Sequence, residues 1–123
     1  MWTPRSHYIT ESQDLIEFLS KEGYFHDFLI GSFTYNSEKD FIELTIEEDF
    51  TKEDILNSPS LIWDLECQGI SSFRMDSMDG LSKWWIYEVL FDGKRLQFQL
   101  VNGYFAFDVE KFIFGIPSKI KQD

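Results

Sequence analysis

The sequence predicts an α+β domain in which one amino-terminal helix packs on a curled, mainly antiparallel, meandering β-sheet of about seven strands. The 123 residues include thirteen Phe, five Tyr and four Trp, and aromatic side chains favour pleated, half-buried sheet surfaces. From Phe28 onward, apolar and polar residues alternate with the period of a strand. The alternating segments follow one another too closely for βαβ crossovers, which disfavours a parallel sheet. No repeat or linker divides the chain, so we expect a single domain over residues 1–123.

The helix is predicted to follow a loose lead-in over residues 1–9. Thr10 and Gln13 have the spacing of a capping box, in which two side chains satisfy the first free N–H groups of a helix. Gly23 stands where a helix commonly ends in the left-handed conformation. Between these limits, an apolar stripe on one face predicts burial against the sheet. The stripe consists of Leu15, Ile16, Phe18 and Leu19.

Seven segments alternate as strands do. In the second of them, Ile42, Leu44 and Ile46 are predicted to face the core while Glu43 and Glu47 face solvent. In the third, Leu61, Trp63, Leu65 and Cys67 are predicted to face inward, with Asp64 and Glu66 outward. The seven segments are residues 28–35, 40–47, 61–67, 70–75, 83–91, 94–101 and 104–109.

Three turns are predicted to join neighbouring strands as hairpins. The polar residues 36–39 connect the first two strands. Asp92-Gly93 and Asn102-Gly103 connect the last three, and these dipeptides are strong short-range hairpin signals.

Four further segments are predicted outside the strands. A short helical turn begins at Thr51, and residues 57–60 break the chain. Residues 76–82 form a loop. A short helix is predicted from residue 108 or 109 to residue 114.

The charge and the single cysteine limit the function classes. The formal net charge is −11, from 22 acidic and 11 basic residues, which opposes binding to nucleic acid or to an anionic membrane. No run approaches the roughly 20 apolar residues that span a bilayer, and no signal-peptide core is present. We therefore expect a cytoplasmic protein. Cys67, the one cysteine, excludes an internal disulfide and a multi-cysteine zinc site, and is interpreted as a buried small hydrophobe.

No residue pattern of a known catalytic or metal site is present. The chain has two histidines, His7 and His26, and lacks the Gly-x-Ser-x-Gly elbow of an activated serine. Asp76 and Asp79 are spaced somewhat as in a calcium loop but lack its third acid and closing glutamate. No glycine-rich phosphate-binding loop occurs. We therefore predict no catalytic residue, no metal and no cofactor.

The adjacent residues His26 and Asp27 have two interpretations. In the structural one, Asp27 caps a turn and His26 donates to a backbone carbonyl at the entry to the first strand. In the functional one, the pair is a proton relay. The sequence favours the structural interpretation, because no third catalytic group is in view.

An acidic stretch over residues 38–54 is the first candidate binding feature. It contains eight acidic and two basic residues, a net charge of −6. One interpretation is a solvated edge that resists edge-to-edge strand pairing. The other is a docking patch for a basic protein, because a focused field speeds encounter and selects the sign of the partner. The candidate docking residues are Glu43, Glu47, Glu48, Asp49, Glu53 and Asp54.

The pair Trp84-Trp85 is the second candidate feature. Neighbouring residues of a strand point to opposite faces, so one Trp is predicted to be buried and the other to be exposed or covered. An exposed Trp is a good interface anchor, and we assign that role to Trp85.

The segments FHDFLI (25–30), FTY (33–35) and FIELTI (41–46) together resemble a pattern in small bacterial proteins. In those proteins a His-Asp entry opens a hairpin after a short amino-terminal helix, and some of them are similar to immunity proteins of polymorphic toxin systems. The later hairpin VLFDGKRLQF (89–98) fits the same layout. The resemblance implies a binding protein and carries over no catalytic residue.

These observations favour a non-catalytic protein-binding domain, in its most concrete form an immunity-type inhibitor whose acidic patch docks a basic partner. The alternative is a carrier of a small apolar ligand, with aromatic side chains lining a cavity inside the curled sheet.

Overall fold

The computed structural model of the chain describes residues 5–48, 62–76, 84–101 and 103–117. These residues form one ten-residue α-helix, one 3-10 turn and nine strands. The elements are β1 (Arg5–Ile9), α1 (Ser12–Lys21), the 3-10 turn Gly23–Phe25, β2 (Leu29–Asn36), β3 (Phe41–Glu47), β4 (Ile62–Gln68), β5 (Ser71–Asp76), β6 (Trp84–Phe91), β7 (Arg95–Leu100), β8 (Gly103–Asp108) and β9 (Lys111–Pro117).

The nine strands form one antiparallel sheet in the order β1-β9-β4-β3-β2-β6-β7-β8-β5. Its two halves, β1-β9-β4-β3-β2 and β6-β7-β8-β5, pair with each other through two residue pairs between β2 and β6. A ring contact across the sheet shows that it curls. The ring of Tyr35 on β2 stacks on Phe73 of β5 with centroids 4.8 Å apart, although three strands separate β2 from β5 in the sheet order. The predicted α+β class with one helix and an antiparallel sheet is confirmed.

The chain passes from one half of the sheet to the other in two continuous segments, β4–β5 and β8–β9, which we call the ribbons. Gly69 and Ile70 alone separate β4 from β5, and Val109 and Glu110 alone separate β8 from β9. Because β4 pairs with β9 and β5 pairs with β8, the two ribbons remain neighbours through the bend. Gly69 turns the chain with φ +68°, and a Cβ built on it would lie 2.7 Å from Cβ of Glu110.

The core lies on the inner face of the curl and is mainly aromatic. The rings of Phe98 and Phe105 stack with centroids 4.6 Å apart, and Phe107 lies beside both. From β3 and β4, the predicted inward residues Ile42, Leu44, Ile46, Trp63, Leu65 and Cys67 are all buried, which confirms the predicted alternation for them. Leu61 lies outside the described residues. Helix α1 buries Leu15 and Leu19, and its Phe18 packs edge-on against Phe114 of β9.

The sheet has two more strands than the roughly seven predicted, and both are at places where the local prediction was wrong. Residues 5–9, predicted as a loose lead-in, form β1 along the edge of β9. The carboxy-terminal helix, predicted to end at residue 114, is instead the strand β9. Short apolar runs are ambiguous between helix and strand, and here Phe112, Phe114 and Ile116 are buried alternately and pair with β4 and β1.

The predicted capping box at the start of the helix is also wrong. The chain stays extended through Glu11 (φ −103°, ψ 138°), so α1 begins at Ser12 with Glu11 as its N-cap and without a side-chain cap. Because β1 ends only at Ile9, Thr10 lies between strand and helix. The predicted helix end is confirmed, since Gly23 adopts φ +62° directly after the C-cap Glu22.

The predicted hairpins are present. In the β2–β3 turn, Oδ1 of Asn36 accepts the N–H groups of Glu38 and Lys39 at 3.1 and 3.2 Å. β6 and β7 pair as antiparallel neighbours on either side of Asp92-Gly93, and β7 and β8 pair from Leu100 and Gly103 onward. Asn102 of the third predicted turn lies outside the described residues. The helical turn predicted at Thr51, the break at 57–60 and most of the loop over 76–82 lie outside the described residues. Within the described part of the chain, no helix has the length and apolar character needed to cross a membrane.

Candidate functional site

The outer surface of β3, β4, β9 and β1 carries four carboxylates, of which Glu43 is exposed and Glu47, Asp64 and Glu66 are half-buried. Because alternate residues of these strands enter the core, the residues between them point to solvent. We call this surface the acidic face. Its outward residues are Glu43, Thr45 and Glu47 of β3, Asp64 and Glu66 of β4, Ile113 and Gly115 of β9, and Tyr8 of β1.

The first cross-strand row of the acidic face brings two carboxylates together. In the register of the sheet, Glu43 lies directly opposite Glu66, and Glu66 lies opposite Ile113. Side chains in such positions have Cβ atoms about 5 Å apart, and like charges there destabilise a sheet. Among the described residues, no ion pair involves Glu43 or Glu66.

The second row contains a depression in the surface. Thr45 lies opposite Asp64, Asp64 opposite Gly115, and Gly115 opposite Tyr8. Since Gly115 has no side chain, the row is open between Asp64 and the ring of Tyr8. The depression holds about 450 Å³ and is lined by Tyr8, Thr10, Asp64, Glu66, Ile113 and Gly115.

The third row contains Glu47 and the predicted anchor Trp85. Leu29 pairs with Glu47 on one side and with Trp85 on the other, so these three residues share one face of the sheet. The carboxylate of Glu47 lies over Gly31, at the place that a side chain there would occupy. Glu48 is half-buried at the end of β3. The other predicted docking residues, Asp49, Glu53 and Asp54, lie outside the described residues.

The two tryptophans point to opposite faces, but the predicted contrast in their exposure is wrong. Trp84 packs inward against Phe33 and Phe105, with ring centroids 5.7 and 6.0 Å away. Trp85 lies on the outer side, in the row of Glu47. Both are half-buried, and both lie where β6 pairs with β2.

His26 and Asp27 occupy a strained turn at the surface. Nδ1 of His26 lies 3.1 Å from Oδ2 of Asp27, and their side chains are 55% and 85% exposed. Tyr24, Phe25 and Asp27 all have positive φ, which is costly for residues other than glycine. The turn is anchored by the buried ring of Phe25 and by the bond from Asp27 N–H to the carbonyl of Ile86 at 3.1 Å. The predicted bond from His26 to a backbone carbonyl is absent among the described residues.

Neither a cluster of metal-ligating side chains nor an activated thiol is found among the described residues. No group of three or more His, Cys, Asp or Glu side chains converges among them. Cys67 is fully buried, and burial raises the pKa of its thiol well above the usual range. A thiol in this state is a weak nucleophile.

A larger groove lies away from the acidic face. It holds about 760 Å³ between α1 and the β6–β7 hairpin. Its walls include Ile16 and Phe91, and both Lys21 and Glu17 line its rim. Asp92 also lines the groove. With two acidic residues and one basic residue in its lining, the groove selects a partner by charge less strongly than the acidic face does.

Part of the acidic face was visible in the sequence and part was not. The alternation in β3 and β4 placed Glu43, Asp64 and Glu66 on the solvent side. Tyr8 and Ile113 were missed, because their segments were assigned as lead-in and helix. An alternating reading of residues 111–117 was the signal that would have found Ile113.

No protein-family model matches the sequence, and no curated protein or solved structure matches the chain. The resemblance to immunity-type proteins therefore remains a prediction from the motifs alone.

Proposed function

We propose that the chain is a non-catalytic protein-binding domain whose acidic face docks a basic protein. In its more specific form, the domain acts as an immunity-type inhibitor that covers a basic, phosphate-binding surface of a toxin. The observation that carries the proposal is the placement of Glu43 directly opposite Glu66 in the middle of the sheet.

Two carboxylates directly opposite each other on neighbouring strands destabilise the sheet, so stability alone does not explain the pair. A Lys or Thr at either position would remove the repulsion and keep the strand. Residues that break a local rule without a compensating contact are expected at functional sites. A basic partner would supply the missing compensation, and its charge would also speed the encounter.

The acidic face also contains apolar surface on its two outermost strands, β1 and β9. Tyr8 is 59% exposed and Ile113 is 39% exposed, and both border the depression at Gly115. Interfaces combine such apolar anchors with charged rims, since the anchors supply most of the binding free energy. The acidic face therefore has the composition of a docking surface as well as the charge of one.

The alternative of an apolar-ligand carrier has less support. The inward rings of Phe98, Phe105 and Phe107 stack on one another, and Phe73 lies against Phe107. Rings in mutual contact fill the interior of the curl instead of lining a cavity.

The test compares partner capture by two variants of equal charge. Glu43→Lys with Glu66→Lys reverses the central pair and leaves two like charges opposite each other, so stability should change little. Glu17→Lys with Glu22→Lys is the matched control in the carboxy-terminal half of α1 and at its C-cap, where cations are tolerated. Each double variant has a net charge of −7, because each reversal adds two to −11.

Affinity capture from a lysate of the source organism, followed by titration of the purified partner, is the measurement. We expect wild type and the α1 control to bind a basic protein, the central double variant to lose it, and binding to weaken at high salt. Equal binding by the central double variant, or no basic partner for wild type, contradicts the proposal.

A further inference from the structure

We infer that the depression beside Tyr8 receives an arginine side chain from the basic partner, an inference that rests on the proposed function. The depression is a shaped feature of the acidic face. Gly115 lies between Asp64 and Tyr8 in the register of the sheet, and the other lining residues are Thr10, Glu66 and Ile113.

The lining residues match the parts of an arginine side chain. Aliphatic surface at Ile113 suits the methylene stem, which buries readily while its charged head stays polar. The exposed ring of Tyr8 suits the planar guanidinium, which stacks on aromatic faces. A carboxylate at Glu66 suits the paired N–H groups of the guanidinium, which bind carboxylates in a bidentate manner.

The charge of the lining suits a cation. The lining beside Tyr8 holds two carboxylates and no basic residue among the described side chains. A second depression of about 410 Å³, also lined by Ile113, has the same net charge, because it holds Glu11, Glu66 and Glu110 together with Lys111. The depression beside Tyr8 differs in that no lysine in its lining competes with an incoming cation for the carboxylates.

Arginine is favoured over lysine because two of the lining residues, Tyr8 and Glu66, suit a guanidinium better than an ammonium group. Lysine carries a compact, strongly hydrated charge that neither stacks on a ring nor binds a carboxylate through two parallel bonds. The partner residue is therefore a guanidinium on an apolar stem, with Tyr8 and Glu66 as its principal contacts.

The test uses nuclear magnetic resonance of the full, isotope-labelled chain titrated with N-acetyl-arginine amide. The matched citrulline derivative has nearly the same shape without the charge, and the lysine derivative has the charge without the plane. We expect saturable shifts confined to the amides of Tyr8, Glu66, Ile113 and Gly115, with a dissociation constant on the order of millimolar for so small a ligand.

Three variants define the contacts. Glu66→Gln should weaken binding about fivefold through loss of the charge, and Tyr8→Leu about threefold through loss of the ring. Glu38→Gln, in the exposed β2–β3 turn, should bind as wild type does. Each variant is expected to keep the wild-type spectrum elsewhere, which shows that it folds.

Two results overturn the inference. One is the absence of localised shifts with the arginine derivative. The other is equal binding of the lysine or citrulline derivative. If the arginine derivative fails while the central double variant still loses the basic partner, only the arginine inference falls. If the arginine derivative does not bind and the central double variant still binds the basic partner, the proposed function falls as well.

Discussion

Glu43 of β3 lies directly opposite Glu66 of β4 in an antiparallel register that runs without a shift from Phe41 to Glu47. The two carboxylates therefore cannot separate by a local slip of the strands. The repulsion between them is a permanent feature of the native sheet, and it links the stability of the fold to the charge of the acidic face.

Glu66→Lys should make the protein more stable. The substitution replaces a repulsive pair with an attractive one, and cross-strand pairs of this kind contribute about 0.5–1 kcal/mol. Urea denaturation at low salt measures the change, and high salt should reduce the difference from wild type. The same variant should bind the basic partner less tightly. A Glu66→Lys protein that is less stable than wild type would show that Glu66 has a structural role instead.

Gly69→Ala should destabilise the fold more than Gly23→Ala does. Both glycines have similar positive φ values, +68° and +62°, but a Cβ at Gly69 meets Glu110 whereas nothing lies within 4 Å of a Cβ at Gly23. We expect a loss of about 1 kcal/mol at Gly23 from the backbone alone and about 2–3 kcal/mol at Gly69.

Thermal and urea denaturation of the two glycine variants provide the comparison. Equal losses would mean that the ribbon moves Glu110 aside without cost. A loss at Gly23 that exceeds the loss at Gly69 would contradict the predicted tight bend.

Asp92 should contribute stability that is lost in acid. Its Oδ1 accepts the N–H groups of Lys94 and Arg95 at 2.9 and 2.8 Å, and these bonds lower the pKa of the carboxyl below its usual value. Because the folded pKa is depressed, the contribution is present near neutral pH and declines as pH falls through the folded pKa. The effect is small, since the side chain is exposed to solvent.

Asp92→Ala and Asp92→Asn distinguish this contribution from other acid effects. The Ala variant should be less stable than wild type at pH 7, and the difference should shrink towards pH 3. The Asn variant keeps an acceptor and should lie between them with little pH dependence of its own. An Ala variant whose deficit grows in acid would contradict the assignment.

The thiol of Cys67 should be unreactive in the native protein. The side chain is fully buried between the faces of the curl, and burial raises its pKa. A thiol reagent should therefore react only after unfolding, at a rate that follows the unfolded fraction. Urea-unfolded protein is the control. Reaction of the folded chain at the rate of a free thiol would show that β4 is open to solvent.

The sequence predicted the parts of the fold that are encoded by local periodicity. Alternation placed the side chains of β3 and β4 correctly, and turn residues identified the β2–β3, β6–β7 and β7–β8 hairpins. It missed β1 and β9 because an edge strand and its neighbour depend on pairing with distant residues. Trp84 and Trp85 show the same limit, since they lie where β6 pairs with β2, a segment distant in the chain.

The candidate site followed the same division. Glu43, Glu47 and Glu66 were placed outward by pattern, but the opposition of Glu43 to Glu66 depends on the register between two segments that are far apart in the chain. Tyr8 lies on the same face as these residues only because β1 pairs with β9. The strained conformation of residues 24–27 had no signal beyond Gly23, because it is maintained by the bond to Ile86 and the burial of Phe25.

The bent ribbons at Gly69 and Glu110 have a consequence for unfolding. β4 and β9 of one half of the sheet continue directly into β5 and β8 of the other half. Opening one half therefore also disturbs the strand pairing of the other half. Breathing motions that expose the amides of β4 should therefore also expose those of β8, although the two strands lie in different halves. Hydrogen exchange should show these amides with matching protection, as expected of one cooperative unit.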